Sequence, residues 1–516
     1  MSSNANMSVQ LKAITDSGKT VDVAATHEGH IEVALHAPRL PFGSIHTEKL
    51  TPVFQADAVY GINTPEVLPT TSGSGGATAS DSCFVVSTGT TIYSQGIIQS
   101  RKRLRYRPGQ GVVGRFTASF TSPVASSYQV AGLGHAEDGV YFGYKNTQFG
   151  ILYSQRGVRE VQTLTITTKS STAENVVVKL NNVNFNVAVT NGASTVTTAY
   201  EISQGTYTGW KAEAVGSTVV FVADAVGNKT DTFSITGTTV VGSFVETKAG
   251  AAATESFIAQ SSWNGDSCDG NGPSGFTIDP TKLNVFEIGM QYLGAGTITF
   301  AIEIAPEDNN PDFVVVHTMR LPNTLTTTSL GNPSFPFTAA VYSAGSTTNL
   351  TMKVGSFAGF IEGEKISHGP RLSYYGQSNA VDSSVFKPLF TIRNTRYFGG
   401  RSSQIVTNLL SISGAIKHTS PVTIYVFRNA TLTGTPNYSQ YSTSSASYVD
   451  TSATACTISD NNQIVWTGTL GDTGNFEFHF SDNITIQPGE TVTVAAKAVT
   501  GSPSWVTASL NTREDQ

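Results

Sequence analysis

The amino-acid sequence predicts an all-β protein made of several β-sandwich domains, and three observations support this fold class. Only 13% of the 516 residues are charged, against about 25% in a typical globular protein, and long helices usually carry many charges on their solvent-facing sides. Many short segments alternate apolar with polar residues, at the period of two that a half-buried strand requires. The 49 glycines suit the turns between such strands.

A chain of this length is expected to contain roughly three or four domains. Residues 1–70 contain short alternating stretches interrupted by prolines. They predict an N-terminal β segment, either a small module or an attachment arm that becomes ordered against a partner. Residues 70–82 contain no large apolar side chain, and this composition predicts a flexible linker over residues 71–83.

The strongest alternation predicts a central β-sandwich that is split into residues 84–157 and 251–365. Phe116, Ala118 and Phe120 fall on one face of a strand, and the hydroxyl residues between them fall on the other. The spacing of strands and glycine turns suits a jelly-roll or a concanavalin-like sandwich.

Residues 158–250 predict a smaller immunoglobulin-like module that is inserted into the central domain. Its length and its five or more short strands are typical of that architecture. The strands are expected at residues 176–180, 185–189, 210–214, 219–223 and 233–235.

Residues 370–516 predict a complete C-terminal β-sandwich. Val422, Ile424 and Val426 alternate with polar neighbours, as a half-buried strand requires. Isoleucines at 484 and 486 and valines at 492 and 494 flank a Pro-Gly pair, and this pattern predicts a hairpin.

Charge and cysteine content exclude several classes of partner. The formal net charge of −6 gives no general attraction to nucleic acid or to anionic lipid, so we expect neither partner. The apolar runs are far shorter than the ~20 residues of a membrane span, and we expect no membrane insertion. Cys83, Cys268 and Cys456 are an odd and dispersed set without a disulfide framework, which favours synthesis in a reducing cytoplasm.

The basic segment at residues 101–107 is the most conspicuous charge cluster. In a strand, Arg101, Arg103, Arg105 and Arg107 would all lie on one face. Such a face could bind acidic groups of another protein, or it could pair with carboxylates of the same chain. Both alternatives are favoured over nucleic-acid binding because the chain as a whole is acidic.

Two groups of residues resemble metal sites without meeting their spacing. His27 and His30 are three residues apart, whereas a zinc-binding HExxH pair is four apart on a helix. The loop at residues 264–275 has Cys268 at the third ligand position of a calcium loop and Gly275 in place of its closing Glu. We predict no metal and no cofactor, although a surface Ca²⁺ in this loop stays open.

No catalytic signature is found either. The sequence has no GxSxG elbow. His135, Glu137 and Asp138 lie close together, but they stand in a Gly-rich stretch of good turn composition. We therefore predict no catalytic residues and a chain that is not an enzyme.

Several stretches resemble a family of virion structural proteins encoded by tailed bacteriophages and by some large DNA viruses. These stretches are recurring sequence patterns rather than catalytic signatures. They lie at residues 41–64, 100–153, 265–306, 313–323, 332–341, 390–398 and 509–516.

The resemblance implies a non-enzymatic part of a virus particle, such as a fibre, a spike or a capsid-surface protein. It implies assembly in the host cytoplasm, other virion proteins as partners and a symmetric homo-oligomer. The alternative is a receptor-binding fibre or spike that binds a host-surface glycan or, less favoured, cleaves one. Candidate glycan-binding residues are Tyr141, Tyr144, Asn146, Tyr374 and Tyr375.

Overall fold

The predicted all-β class is confirmed in a computed structural model. The structure describes residues 12–14, 20–22, 49–304, 312–365, 369–417, 420–471, 473–481, 484–501 and 504–516. Over these residues it has 39 β-strands, one α-helix and two 3-10 helices. No helix in the described ranges is long and apolar enough to cross a membrane.

The chain divides into two compact units, Met1–Glu48 and Lys49–Gln516. In the first unit the described residues form two paired strands, β1 (Lys12–Ile14) and β2 (Thr20–Asp22). His27, Glu28 and His30, which were considered as metal ligands, lie outside the described residues.

The second unit begins with nine strands of a central sandwich. They are β3 (Leu50–Asp57), β4 (Val67–Ser72), β5 (Gly76–Ser80), β6 (Cys83–Ser87), β7 (Gln95–Ser100), β8 (Val112–Ser119), β9 (Ser127–Gly134), β10 (Gly139–Lys145) and β11 (Gln148–Gln155).

An inserted module follows, with seven strands and the α-helix. These are β12 (Arg159–Thr168), β13 (Glu174–Leu180), β14 (Val183–Val189), α1 (Thr195–Ser203), β15 (Trp210–Val215), β16 (Thr218–Val226), β17 (Ser234–Thr236) and β18 (Val241–Lys248).

The chain then returns to the central sandwich. The first returning strand is followed by a short 3-10 helix, Gln260–Ser262. The returning strands are β19 (Thr254–Ala259), β20 (Asn284–Met290), β21 (Ile298–Ile304), β22 (Asp312–Met319), β23 (Phe337–Ser343) and β24 (Thr351–Glu362).

The C-terminal module contains fifteen strands and a second 3-10 helix, Asn461–Gln463. The strands are β25 (Arg371–Val381), β26 (Lys387–Asn394), β27 (Tyr397–Phe398), β28 (Arg401–Ser402), β29 (Val406–Lys417), β30 (Val422–Arg428), β31 (Thr431–Gly434), β32 (Ser439–Gln440), β33 (Ser447–Asp450), β34 (Ala453–Thr457), β35 (Ile464–Leu470), β36 (Thr473–His479), β37 (Thr485–Ile486), β38 (Thr491–Ala498) and β39 (Ser504–Asp515).

Two antiparallel sheets face each other in the central sandwich. One has the order β19-β11-β10-β9-β23-β7-β4, and the other has the order β22-β21-β20-β8-β24-β6-β5, with β3 also paired to β24. Phenylalanines from both sheets fill the space between them. Phe337 stacks on Phe357 with ring centroids 4.2 Å apart, and Phe116 stacks on Phe286 at 5.4 Å. The predicted inward face of β8 is confirmed, because Phe116 is fully buried.

The segment that was predicted as a flexible linker is part of this sandwich instead. β4 pairs with β7 in one sheet, and β5 pairs with β6 in the other. The small residues reflect a close approach of the two sheets rather than flexibility. A Cβ added at Gly96 of β7 would clash with the carbonyl oxygen of Gly76 and would lie 2.7 Å from that of Ser87. The first 70 residues are likewise not all a separate segment, since β3 pairs with β24.

In the inserted module, a sheet of order β15-β16-β12-β18 faces a sheet of order β14-β13-β17. The sequence did not predict helix α1, which contains several β-branched residues. Ser194 caps its N-terminus by accepting a hydrogen bond from the Thr197 N–H at 3.2 Å. Ala199 and Ile202 are fully buried against the strands, so tertiary packing outweighs the weak helix propensity.

In the C-terminal module, the sheet β25-β39-β29-β36 faces the sheet β32-β33-β26-β38-β30-β35. Val422, Ile424 and Val426 are fully buried, as predicted. The predicted hairpin around residue 488 is wrong. β37 pairs with β29 in one sheet, whereas β38 pairs with β26 and β30 in the other, so this turn carries the chain between sheets.

Candidate functional site

Residues 101–107 form an irregular segment, and the predicted arginine-faced strand is wrong. Leu104 makes an isolated bridge to Phe335, with N···O distances of 2.7 and 3.0 Å in the two directions. Leu104 is fully buried, and Tyr106 packs edge-on against Tyr292 at 4.9 Å. Each apolar residue is thus anchored separately, and Pro108 next to the segment has no N–H for a ladder.

The arginines of this segment contact two carboxylates of the C-terminal module. Arg101 Nη1 donates to Glu490 Oε1 at 2.8 Å. Arg105 Nε lies 3.5 Å from Asp515 Oδ2, and Arg107 Nη2 donates to the same carboxylate. We call residues 101–107 with these two carboxylates the arginine junction. Pairing within the chain, which the sequence left open, therefore engages three of the four arginines.

Arg103 has more unsatisfied nitrogen atoms than its neighbours in the arginine junction. Its Nε and Nη1 atoms are buried and have no hydrogen-bond partner. Burial, reinforced by the charges of Arg105 and Arg159, lowers the pKa of Arg103 to about 9. The guanidinium is therefore still charged at neutral pH, in an environment that disfavours the charge.

A second junction joins the inserted module to the C-terminal module at Glu213, which is nearly fully buried. Its carboxylate accepts hydrogen bonds from Thr395 Oγ1 at 2.9 Å and from the Arg396 N–H at 3.2 Å. Arg396 Nε lies 3.3 Å from the same carboxylate. We call this set, together with Arg393, the glutamate junction.

Arg393 completes the glutamate junction. Its Nη2 donates to the Ala214 carbonyl at 2.7 Å. Its guanidinium lies 4.2 Å from the ring centroid of Tyr438 and 5.5 Å from that of Tyr448, so it makes cation–π contacts with both. Nothing in the sequence pattern identified Glu213, because it occupies an ordinary strand position.

The loop at residues 135–138 was considered as a catalytic cluster. In the structure its side chains instead form hydrogen bonds that hold backbone groups in place. Asp138 accepts hydrogen bonds from the N–H groups of Arg156, Gly331 and Asn332, at 2.8–2.9 Å. His135 Nε2 lies 3.2 Å from the Asn332 carbonyl oxygen. Burial, followed by the charges of Arg103 and Arg159, lowers the pKa of His135 to about 3. This histidine is therefore neutral at physiological pH.

Burial also raises the pKa of Glu137, which stands next to Asp138 in the same loop. Its carboxylate lies 3.9 Å from Arg159 Nε and forms a hydrogen bond with the Ser402 side chain. Arg159 begins the inserted module and Ser402 belongs to the C-terminal module. The loop is thus a meeting point of all three modules.

The loop at residues 264–275 is closed by its own carboxylate. Asp266 is buried and accepts hydrogen bonds from the N–H groups of Cys268 and Ser274, at 2.8 and 2.7 Å. Over the described residues, no three His, Cys, Asp or Glu side chains are grouped as metal ligands would be. The carboxylate that resembled a calcium ligand is thus engaged in a turn.

Most of the candidate glycan-binding residues are not placed on a surface. Tyr141, Tyr144 and Tyr374 are buried, so they cannot stack on a sugar, and their assignment is wrong. β10 is buried along nearly its whole length, on both faces, and alternation cannot distinguish the faces of such a strand. Asn146 has a φ of 58° in the turn between β10 and β11. Tyr375 is 57% exposed.

No family model matches the chain, and no curated protein matches it. Several solved structures are weakly similar to it. A lectin from Bauhinia forficata in complex with GalNAc has 9% identity and a TM-score of 0.20, over 59% of this chain and 99% of that one. Lectin UEA-II complexed with galactose has 8% identity and a TM-score of 0.21, over 60% and 100%.

The infectious bursal disease virus Gx strain structure has 10% identity and a TM-score of 0.14, over 80% of this chain and 75% of that one. The Faustovirus major capsid protein has 8% identity and a TM-score of 0.10, over 91% of each chain. Likenesses with TM-scores this low carry no argument about this chain.

Proposed function

We propose that the chain is a non-enzymatic structural component of a virus particle and acts through protein–protein assembly. The observation that carries this proposal is the way in which its buried charges are used. At the arginine junction and the glutamate junction, charged side chains tie three β-sandwich modules into one unit. The charged side chains of these two junctions, which are of types that could take part in catalysis, are held in contacts between modules.

The loop at residues 135–138 supports the same conclusion. Its carboxylates and its histidine hold the backbone of the central module and contact the inserted and C-terminal modules. A group fixed by three backbone donors, as Asp138 is, has few lone pairs left for a substrate. Fixed relative positions of the three modules suit a structural component of a particle, because every copy of the protein must then expose the same surface.

The sequence resemblance to virion structural proteins supports a virus particle as the setting. We propose assembly in the host cytoplasm with other virion proteins as partners, at an exposed position such as a fibre, a spike or the capsid surface. The test is cryo-electron microscopy and quantitative mass spectrometry of purified particles. The chain should be present in a fixed copy number and be visible at one location. Particles that lack it would reject the proposal.

Glycan binding is the second candidate function, and one observation favours it. Tyr375 is exposed on edge strand β25, and its hydroxyl donates to Gln377 Oε1 at 2.7 Å. An exposed aromatic ring beside an amide is a common platform for a sugar. A glycan array should give hits that Tyr375→Ala abolishes, with Tyr441→Ala as an exposed control. An array without hits would remove this candidate.

A further inference from the structure

One side of the C-terminal sandwich ends in two consecutive edge strands. β35 is the last strand of one sheet and β36 is the last strand of the facing sheet. In the described part of the chain, β36 pairs with β29 on one side and with no strand on the other. A free edge presents a row of unpaired N–H and C=O groups that can pair with another strand.

β36 lacks several of the devices that usually protect an edge. It contains no Pro and no Lys, and its register with β29 runs without a bulge from Ser411 to Lys417. The opposite edge of the same sheet, β25, has a register shift between Ser378 and Val381. Edges that are straight and unprotected are the ones that pair with further strands.

An apolar seam lies open at this side of the sandwich. The Trp466 ring stacks on Phe476 with centroids 5.4 Å apart and lies 5.6 Å from Phe478. Phe478 is 42% exposed, although its side chain is on the inward face of the sheet. A Cβ at Gly468 would clash with the Trp466 ring, so the missing side chain lets the indole lie flat. We call Trp466, Phe476 and Phe478 the aromatic edge.

The outward face of β36 carries one acid and one base. Glu477 and His479 are two residues apart, and their side chains are 63% and 76% exposed. His479 Nε2 lies 3.4 Å from Glu477 Oε1. The strand therefore has an aromatic inward face and an outward face with one carboxylate and one imidazole.

We propose that β36 pairs antiparallel with β36 of a second copy of this chain, around a two-fold axis at Phe478. In this register Phe478 faces Phe478 of the second copy, and Glu477 faces His479 on both sides of the axis. Residues directly opposite each other in an antiparallel pair lie on the same face. Aromatic residues thus meet aromatic residues, and each acid meets a base.

Other two-fold registers lack this complementarity. If the two-fold axis passed through Glu477, two carboxylates would lie opposite each other. If it passed through His479, two imidazoles would lie opposite each other. A shift by a single residue would put Glu477 on the same face as Phe478, which the alternation forbids. A two-fold contact must be self-complementary, and of these three centres only the one at Phe478 places each carboxylate opposite an imidazole that can donate a hydrogen bond to it.

Symmetric disulfide cross-linking tests this register. Residues opposite each other across an antiparallel pair have Cα atoms about 4.5 or 5.5 Å apart, and both distances fit a disulfide. Phe478→Cys in the full chain should give a covalent dimer under mild oxidation. The native Cys83, Cys268 and Cys456 are buried and free, so they leave the background low. Tyr375→Cys, on the opposite edge, is the matched control and should give no covalent dimer.

Charge exchange gives a second test that keeps Phe478 intact. Glu477→Lys removes the carboxylate acceptor that faces His479 in both pairs and should weaken the dimer about tenfold in analytical ultracentrifugation. The double variant with Glu477→Lys and His479→Glu places a lysine opposite a glutamate in both pairs and should restore the affinity. Multimers that neither cross-link at position 478 nor respond to these changes would overturn the proposal, and so would a native chain that is strictly monomeric at high concentration.

This contact does not depend on the setting of the chain in a virus particle. The tests use purified protein, so the proposed dimer and the proposed virion role can fail separately.

Discussion

The Arg103 guanidinium holds a charge where two of its nitrogen atoms find no acceptor. Arg101, Arg105 and Arg107 reach carboxylates of the C-terminal module, whereas Nε and Nη1 of Arg103 are buried without a partner. A buried and unsatisfied donor costs about 1–3 kcal/mol. The same short segment therefore contains residues that stabilise the arginine junction and one that weakens it.

We predict that Arg103→Met leaves stability unchanged or increases the free energy of unfolding by about 1 kcal/mol, because methionine fills a similar volume without polar atoms. Arg107→Met is the matched control, since it leaves the Asp515 carboxylate with one cation fewer, and it should lower stability. Chemical denaturation of both variants measures the difference. If Arg103→Met lowered the free energy of unfolding as much as Arg107→Met, this account would be contradicted.

Residue identities at the site were only partly predictable from the sequence. Pairing of the arginines within the chain was one of the alternatives that the sequence left open, although the strand on which they were expected to lie does not form. The alternation could not tell that Tyr141 and Tyr144 are buried, because β10 has both faces covered. Glu213 was missed for a related reason. Its partners Arg393 and Arg396 are far away in the chain, and no local pattern connects them.

His135 gives the pH dependence of stability a definite sign. Burial lowers its pKa to about 3, below the ordinary value of about 6.5. The unfolded chain therefore binds a proton between these values that the folded chain does not, so stability falls as the pH falls from about 6.5 towards 3.

We predict that His135→Gln makes the apparent Tm less sensitive to pH between 6.5 and 4. Glutamine retains a donor for the Asn332 carbonyl and does not titrate. Carboxylates titrate in both proteins, so the difference between the two pH profiles isolates the histidine. Parallel profiles would show that His135 does not control acid sensitivity.

At the scale of the element, hydrophobic alternation predicted strands well wherever one face is buried. The strands of the inserted module and β8 and β30 are examples. It failed for β4 and β5, because the small side chains that resemble a linker also permit close packing of two backbones. It also missed α1, whose nine residues are stabilised by burial of Ala199 and Ile202 rather than by propensity.

The close approach of β7 and β5 makes Gly96 a position of strict size limits. We predict that Gly96→Ala lowers the free energy of unfolding by about 3 kcal/mol, since the new methyl group must push the two sheets apart. Gly355→Ala in β24 is the matched control. A Cβ there would lie 3.6 Å from Thr117, an ordinary contact, so stability should stay the same. Equal effects of the two changes would mean that the sheets separate easily.

For the whole molecule, the junctions decide whether three sandwiches behave as one unit. The contacts of Glu213, Arg393, Glu490 and Asp515 join modules whose own cores are separate clusters. The sequence indicated these modules by their composition and by the periodicity of their hydrophobic residues. It contained no signal for their mutual positions, which depend on single charged residues at long separation.

The glutamate junction offers the most direct test of this coupling. We predict that Glu213→Gln lowers stability by about 3 kcal/mol, because it leaves Arg393 and Arg396 without a buried counter-charge. Hydrogen exchange should quicken at residues 393–396 and in β15, while the core of the central sandwich keeps its protection. Asp224→Asn is the control in the same module. It removes an exposed ion pair to Lys211 at 3.7 Å, and such pairs contribute only about 0–1 kcal/mol. If both variants exchange alike, the modules are held together by packing, and the charges at Glu213 serve orientation rather than stability.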